Sequence, residues 1–224
     1  MKKSNIFILV ATGFVITASV LLFVLNKRYE QPKEPTKPVH MVTHALQPFQ
    51  VLIANEGADV HIEQADSNRI SIETSDGKSF PAGLYTQTGD TLTIEKGVRV
   101  FVNCSSIATI ISNKAYWMGA HSLKLPHLKI QMNGGLLRFN VNETVSKVTV
   151  LDVQLSDSAR FDIRRTEIDS LNLSMTGKSF AEMYAPVKKL NLEMNDHSHL
   201  ITNGEMEQMQ IKKDSSIRLE FVNN

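Results

Sequence analysis

One cysteine in 224 residues, Cys104, excludes an intramolecular disulfide, so burial of apolar surface must hold this chain together. Glycine is sparse, at 11, and no glycine-rich stretch has the form of a phosphate-cradling loop. Charge of one sign is missing too. Residues 1–28 hold four of the 24 Lys and Arg and no acid, which leaves 20 basic against 23 acidic groups, a net of −3. A surface so balanced gives no footprint for nucleic acid. Proline is scarce except between Tyr29 and Gln50, where Pro32, Pro35, Pro38 and Pro48 make up four of the seven. At that density the backbone is extended and hydrated, so residues 26–50 read as a tether.

What the chain does have is a repeat. An apolar-x-x-apolar-x-apolar triple occurs at Val148/Leu151/Val153, Ile168/Leu171/Leu173, Val187/Leu190/Leu192 and Met206/Met209/Ile211, with central positions 20, 19 and 19 residues apart. Six positions past each centre stands a turn-type residue: Asp157, Gly177, Asp196 and Ser215. Within each copy Leu171, Leu173 and Met175 alternate with Asn172 and Ser174, a period of two that means strand. The return limb alternates as well, in Ala159, Phe161, Ile163 and again in Ile217, Leu219, Phe221, which excludes the helical limb of a leucine-rich repeat. A period near twenty built from strands and polar turns predicts an all-β, single-stranded parallel β-helix, a solenoid whose coils bury their inward faces only by stacking.

A fifth coil is read at Leu125, Leu128, Ile130 and Met132, with Gly134 and Gly135 at the turn. A sixth is suggested by Ile107, Ile110 and Ile111, before Tyr116 and Trp117 break the pattern. The position after each centre is Asp152, Asn172, Asn191 or Gln210. Stacking would place these in one row, either as a hydrogen-bonded amide ladder or as an outward polar face. The β-helical domain therefore runs over 51–224, with regular coils at 123–224. An irregular β N-terminal cap at 51–122 holds strands such as Val60/Ile62 and Leu92/Ile94, as coils or hairpins.

Ile6 to Leu25 is a run of 20 uncharged residues flanked by Lys2, Lys3, Lys27 and Arg28. A bilayer core of about 30 Å needs roughly 20 helical residues. The expectation is one transmembrane helix over 6–25, preceded by a cytoplasmic tail at 1–5. A cleaved signal peptide is the competing reading, but Val20 to Leu25 stays apolar to its end, with no small-x-small cleavage site. The partner expected for this segment is the membrane, with a single-pass topology in the inner membrane and the domain facing the periplasm or exterior.

The segment Phe49-Gln50-Val51-Leu52-Ile53-Ala54-Asn55-Glu56-Gly57-Ala58-Asp59-Val60-His61-Ile62-Glu63-Gln64 resembles the opening of the putative auto-transporter adhesin, head GIN domain family. Leu173-Ser174-Met175-Thr176-Gly177-Lys178-Ser179 is similar to that family's repeated turn. The resemblance covers roughly residues 49–222 and implies a β-helical domain exported by bacteria, often of the Bacteroidetes type, with no established activity. Asp157 and Asp196 stand where that family usually has glycine.

Chemistry is thin. Asp196, His197 and His199 could suggest a metal, but they sit at a turn without a further ligand. Asp157 and Asp196 could face each other across two coils, as the carboxylates of a polysaccharide-cleaving enzyme would, yet Gly177 intervenes and Asp at a turn already has a structural role. Cys104 reads as a buried thiol. Asn103, Asn142 and Asn172 open glycosylation triplets that arise easily by chance. No catalytic, cofactor-binding or metal residue is therefore expected. The reading is a membrane-anchored, non-enzymatic binding, adhesion-like or scaffolding module with a protein or glycan partner. The alternative is a carbohydrate-active enzyme on the same scaffold, which would need carboxylates paired across adjacent coils.

Overall fold

In the computed structural model the chain divides into two units, Met1–Pro38 and Val39–Asn224. Residues 13, 15–22, 40–74, 80–140 and 145–222 are described. In the first unit the described helix covers 15–22. Among the described residues no helix is long and apolar enough to cross a membrane. The transmembrane helix expected over 6–25 is therefore corrected. With it go the single-pass inner-membrane location, the membrane as partner, and the anchored form of the function. The rest of that run, the tail at 1–5 and the tether as far as residue 39 lie outside the described residues. Hydropathy is a property of composition alone, whereas a crossing is recognised by a long apolar helix, and the described residues hold none.

The second unit is an all-β parallel solenoid. Its regular coils are β10 (Lys124–Asn133) with β11 (Leu136–Phe139), β12 (Ser146–Ser156) with β13 (Arg160–Ile163), β14 (Thr166–Met175) with β15 (Phe180–Met183), β16 (Val187–Met194) with β17 (His199–Thr202), and β18 (Met206–Lys213) with β19 (Arg218–Phe221). The first strand of each coil pairs in parallel into a nine-stranded sheet, and the second into a ten-stranded sheet. The repeat appears directly in the register, where Leu128, Leu151, Leu171, Leu190 and Met209 are successive partners. The first four are at most 1% exposed, and Met209 packs against them from β18.

The first four of these coils turn their corners with two consecutive residues in the left-handed region: Gly134-Gly135, Asp157-Ser158, Gly177-Lys178 and Asp196-His197. That conformation costs an ordinary L-residue energy, and Asp and Gly tolerate it best. At Gly135 the requirement is also steric, since a Cβ would lie 2.4 Å from the carbonyl oxygen of Ala115. Corner amides bond to the next coil, as Ser158 N–H does to Gly177 O at 2.9 Å and Lys178 N–H to Asp196 O at 2.9 Å.

The stretch 51–122 is irregular in order more than in geometry. It holds β2 (Val51–Ala54), β3 (Asp59–Gln64), β4 (Arg69–Thr74), β5 (Tyr85–Thr88), β6 (Thr91–Ile94), β7 (Arg99–Cys104), β8 (Thr109–Asn113) and β9 (Trp117–His121). Three pairs among these are parallel coils: β2/β3, β6/β7 and β8/β9. In the stack β6/β7 lies outside β2/β3, and β8/β9 lies on the other side of it. The first coil in the chain is thus the second of eight in space. Antiparallel strands close that end. β4 pairs with β7, β5 pairs with β6, and β1 (His40–Ala45), from the stretch read as tether, pairs with β4.

Leu171→Ala should lower the unfolding free energy by about 2–5 kcal/mol through lost burial and the cavity left behind. Denaturant titration checks this, with the unfolding slope unchanged.

Candidate functional site

Because side chains alternate along a strand, burying one row of the nine-stranded sheet turns the next row outward. Lys129, Asp152, Asn172, Asn191 and Gln210 are register partners on the outer face of β10, β12, β14, β16 and β18. Both sequence readings of this position hold, because the row faces outward and is also bonded. Asn172 Nδ2 donates to Asp152 Oδ1 at 2.6 Å, and Asn191 Nδ2 donates to Asn172 Oδ1 at 2.7 Å. At the head of the row His127 Nε2 lies 2.7 Å from Asp152 Oδ2. Gln210, in β18, is exposed.

A second row runs beside it, through Gln131, Gln154, Ser174, Glu193 and Lys212. Gln131 Nε2 donates to Gln154 Oε1 at 2.9 Å, and Lys212 Nζ donates to Glu193 Oε1 at 2.9 Å. Between them the rows line an open concavity of about 760 Å³ that reaches from His127 to Lys212. The Asn191 and Asn172 amides point the same way, each donating toward the head, so the chain of donors ends on a carboxylate. The hydrogen bond from Asn172 lowers the Asp152 pKa; partial burial opposes this, and His127 adds to it.

The residues weighed for chemistry do not converge. Asp196 and His197 occupy the left-handed corner, while His199 lies in β17, 2.9 Å from Glu220. Among the described residues no three His, Cys, Asp or Glu group could hold a metal. Asp157 pairs at 3.3 Å with Lys114, which lies at the corner of the β8/β9 coil two coils away. The Cys104 thiol is buried, which pushes its pKa up to about 12, and it points at the carbonyl of Glu63. Asn103 accepts from Arg69 Nε at 3.0 Å, Asn172 is a rung of the ladder, and Asn142 lies outside the described residues.

One cluster had no signal in the sequence. On the outer face of the ten-stranded sheet Phe101 stacks on His61 at 4.9 Å between centroids, and His61 meets Trp117 at 4.3 Å. Trp117 lies over Gly119, where a Cβ would come within 2.2 Å of the indole. His121 sits beside them, 6.4 Å from His61, and burial lowers the pKa of both imidazoles. The Nδ1 of His121 and Oδ1 of Asp59 are buried without a hydrogen-bond partner. The cluster therefore reads as packing.

No protein-family model matches the chain, and no curated protein matches it. Solved structures do. A putative adhesin from Parabacteroides merdae superposes with a TM-score of 0.57 at 16% identity, covering 84% of this chain and 97% of that one. A putative adhesin from Bacteroides fragilis gives 0.54 at 10% identity, over 84% and 99%. At such identities the likeness is one of fold. The domain is a β-solenoid related in fold to bacterial proteins described as putative adhesins.

The stability contributed by the depressed Asp152 pKa is fully present above the ordinary carboxylate value, about 3.9, and is lost as pH falls through the lower folded value. Asn172→Ala should raise the Asp152 titration midpoint in carboxyl NMR and lower stability by about 1 kcal/mol. An unchanged Asp152 midpoint would remove the ladder as its cause.

Proposed function

We propose that the solenoid is a non-enzymatic binding module that holds an extended, neutral, hydroxyl-rich chain such as a glycan along the groove of the nine-stranded sheet. The observation that carries this is the concavity of about 760 Å³ lined by two parallel rows of amide, carboxylate and hydroxyl groups. Rungs in parallel strands recur about every 4.8 Å, so the groove offers polar groups at an equal spacing along the axis. A ligand that repeats its hydroxyls along its length can use that pattern. Asp152 is bonded to His127 and Glu193 to Lys212, and with Lys129 the groove's two lysines balance its two carboxylates, which favours a neutral ligand over an ionic one.

The acids of the groove do not suit hydrolysis. Asp152 and Glu193 stand in different rows and two coils apart, and each is tied to its own partner. Acid–base chemistry on a glycosidic bond needs two carboxylates flanking one bond, held in environments that split their pKa values. Asp152 is held in its charged form by hydrogen bonds, which suits a fixed acceptor. The nearer kinship, to the head GIN domain family, rests on the motifs at 49–64 and 173–179.

The purified chain should bind one or more members of a panel of neutral polysaccharides in saturation-transfer NMR, and release no reducing ends or unsaturated sugars from any of them. Asn191→Ala should weaken that binding about tenfold by removing a central rung, a loss of about 1.4 kcal/mol. Binding indifferent to Asn191→Ala would move the site off this groove. Turnover abolished by Asp152→Asn or Glu193→Gln would make the chain an enzyme.

A further inference from the structure

The two rows of the groove do not stop at β10. In register, the row of Asp152 continues past Lys129 to Thr109, Val51, Thr91 and Thr88. The row of Gln154 continues past Gln131 to Ile111, Ile53, Thr93 and Thr86. These positions lie on β8, β2, β6 and β5, four adjacent strands of the nine-stranded sheet. Every one is β-branched and uncharged, and none is buried. Strand propensity favours such residues but does not keep charge from outward positions. The same two rows carry Lys129, Asp152, Glu193 and Lys212 farther along.

Two features join this uncharged half to the groove. A second concavity, of about 280 Å³, lies across the boundary. Ile111, Gln131 and Asn133 line it, and Gln154 lines both concavities. Beside the uncharged rows runs a second amide ladder, two residues farther along each strand. Asn113 Nδ2 donates to Asn55 Oδ1 at 3.2 Å, and Asn55 Nδ2 donates to Glu95 Oε1 at 3.0 Å. Asn133 and then Ser156 are the next register partners of Asn113. This ladder is built like the first, with its donors directed to one carboxylate.

We infer that the glycan proposed for the groove runs on over this surface, so that one linear chain lies along the whole nine-stranded sheet. The inference rests on the glycan reading of the groove. The two halves take different parts of a sugar. Amides and carboxylates in the polar half bond hydroxyls at the ring edge. The β-branched half offers methyl groups, held in place by stiff side chains, to the apolar C–H face of the ring. Pyranoses with equatorial hydroxyls present such a face on both sides, which singles out a β-1,4-linked chain of the xylan or glucan kind. An ionic polymer would find no counter-charge along the uncharged rows. Nine strands make a track of about 38 Å at about 4.8 Å per step, against about 19 Å for β10 to β18 alone.

The test titrates the full chain by calorimetry with β-1,4-xylan fragments of four and of eight sugars. The longer fragment should bind about tenfold more tightly. Thr93→Lys and Thr109→Lys, each placing a long charged side chain on the track, should bring the eight-sugar affinity down to that of four sugars. Both variants should hold the four-sugar fragment as tightly as before, which also shows that they are folded. Asn191→Ala should weaken both lengths. Equal affinity for the two lengths, or a Thr93→Lys chain that keeps the gain with length, would overturn the extension and leave the groove reading in place. Binding of neither fragment, by a chain that holds another polysaccharide through Asn191, would overturn the β-1,4-linked class. A chain that binds no polysaccharide at all would end the groove reading itself.

Discussion

Every coil of this domain has one apolar face that only a neighbouring coil can cover. Leu171 is buried because Leu151 and Leu190 stand beside it in register, and each of those is buried by the next. Stability is therefore carried between nearest neighbours along one axis, and the coil of β6 and β7, at the end of the stack, must be closed by other means. The antiparallel strands β1, β4 and β5 are the outcome of that constraint.

The same constraint builds the surface. A strand that buries alternate residues must present the others, and parallel in-register stacking lines those up with equal spacing. Asn172 and Asn191 meet for the same geometric reason that Leu171 and Leu190 meet. Their carboxamides complete a chain of donors that ends on Asp152, and that chain fixes the carboxylate in its charged state. A fold that needs repetition for its core thus obtains a repeating, hydrogen-bonding groove on the face opposite to it.

Corners decide how far the repetition can go. Two left-handed residues in a row are a demanding conformation, and the chain meets it with Gly-Gly, Asp-Ser, Gly-Lys and Asp-His. This placement explains why Asp196 and His197 make no metal site with His199. The first two serve the backbone at the bend, while the third points from a strand toward Glu220.

The sequence alone determined the regular coils, the inward row and the polar row at Asp152, Asn172, Asn191 and Gln210, because period two and a step near nineteen are local facts of spacing. It could not determine the order of the first coils. Nothing in the spacing of β2, β6 and β8 says that β6/β7 lies outside β2/β3, since that depends on how antiparallel β4 and β5 turn the chain back. The cluster of Phe101, His61 and Trp117 follows from that order and was equally hidden. The apolar run at 6–25 is a fact of composition, and the described residues hold no helix long and apolar enough to cross a membrane. The second row and its groove were half visible, since alternation marks Gln154 and Glu193 as outward. Only the stacked sheet makes them one wall with Asn172 and Asn191, because a concave surface is made by side chains that are distant in the chain and adjacent in the stack.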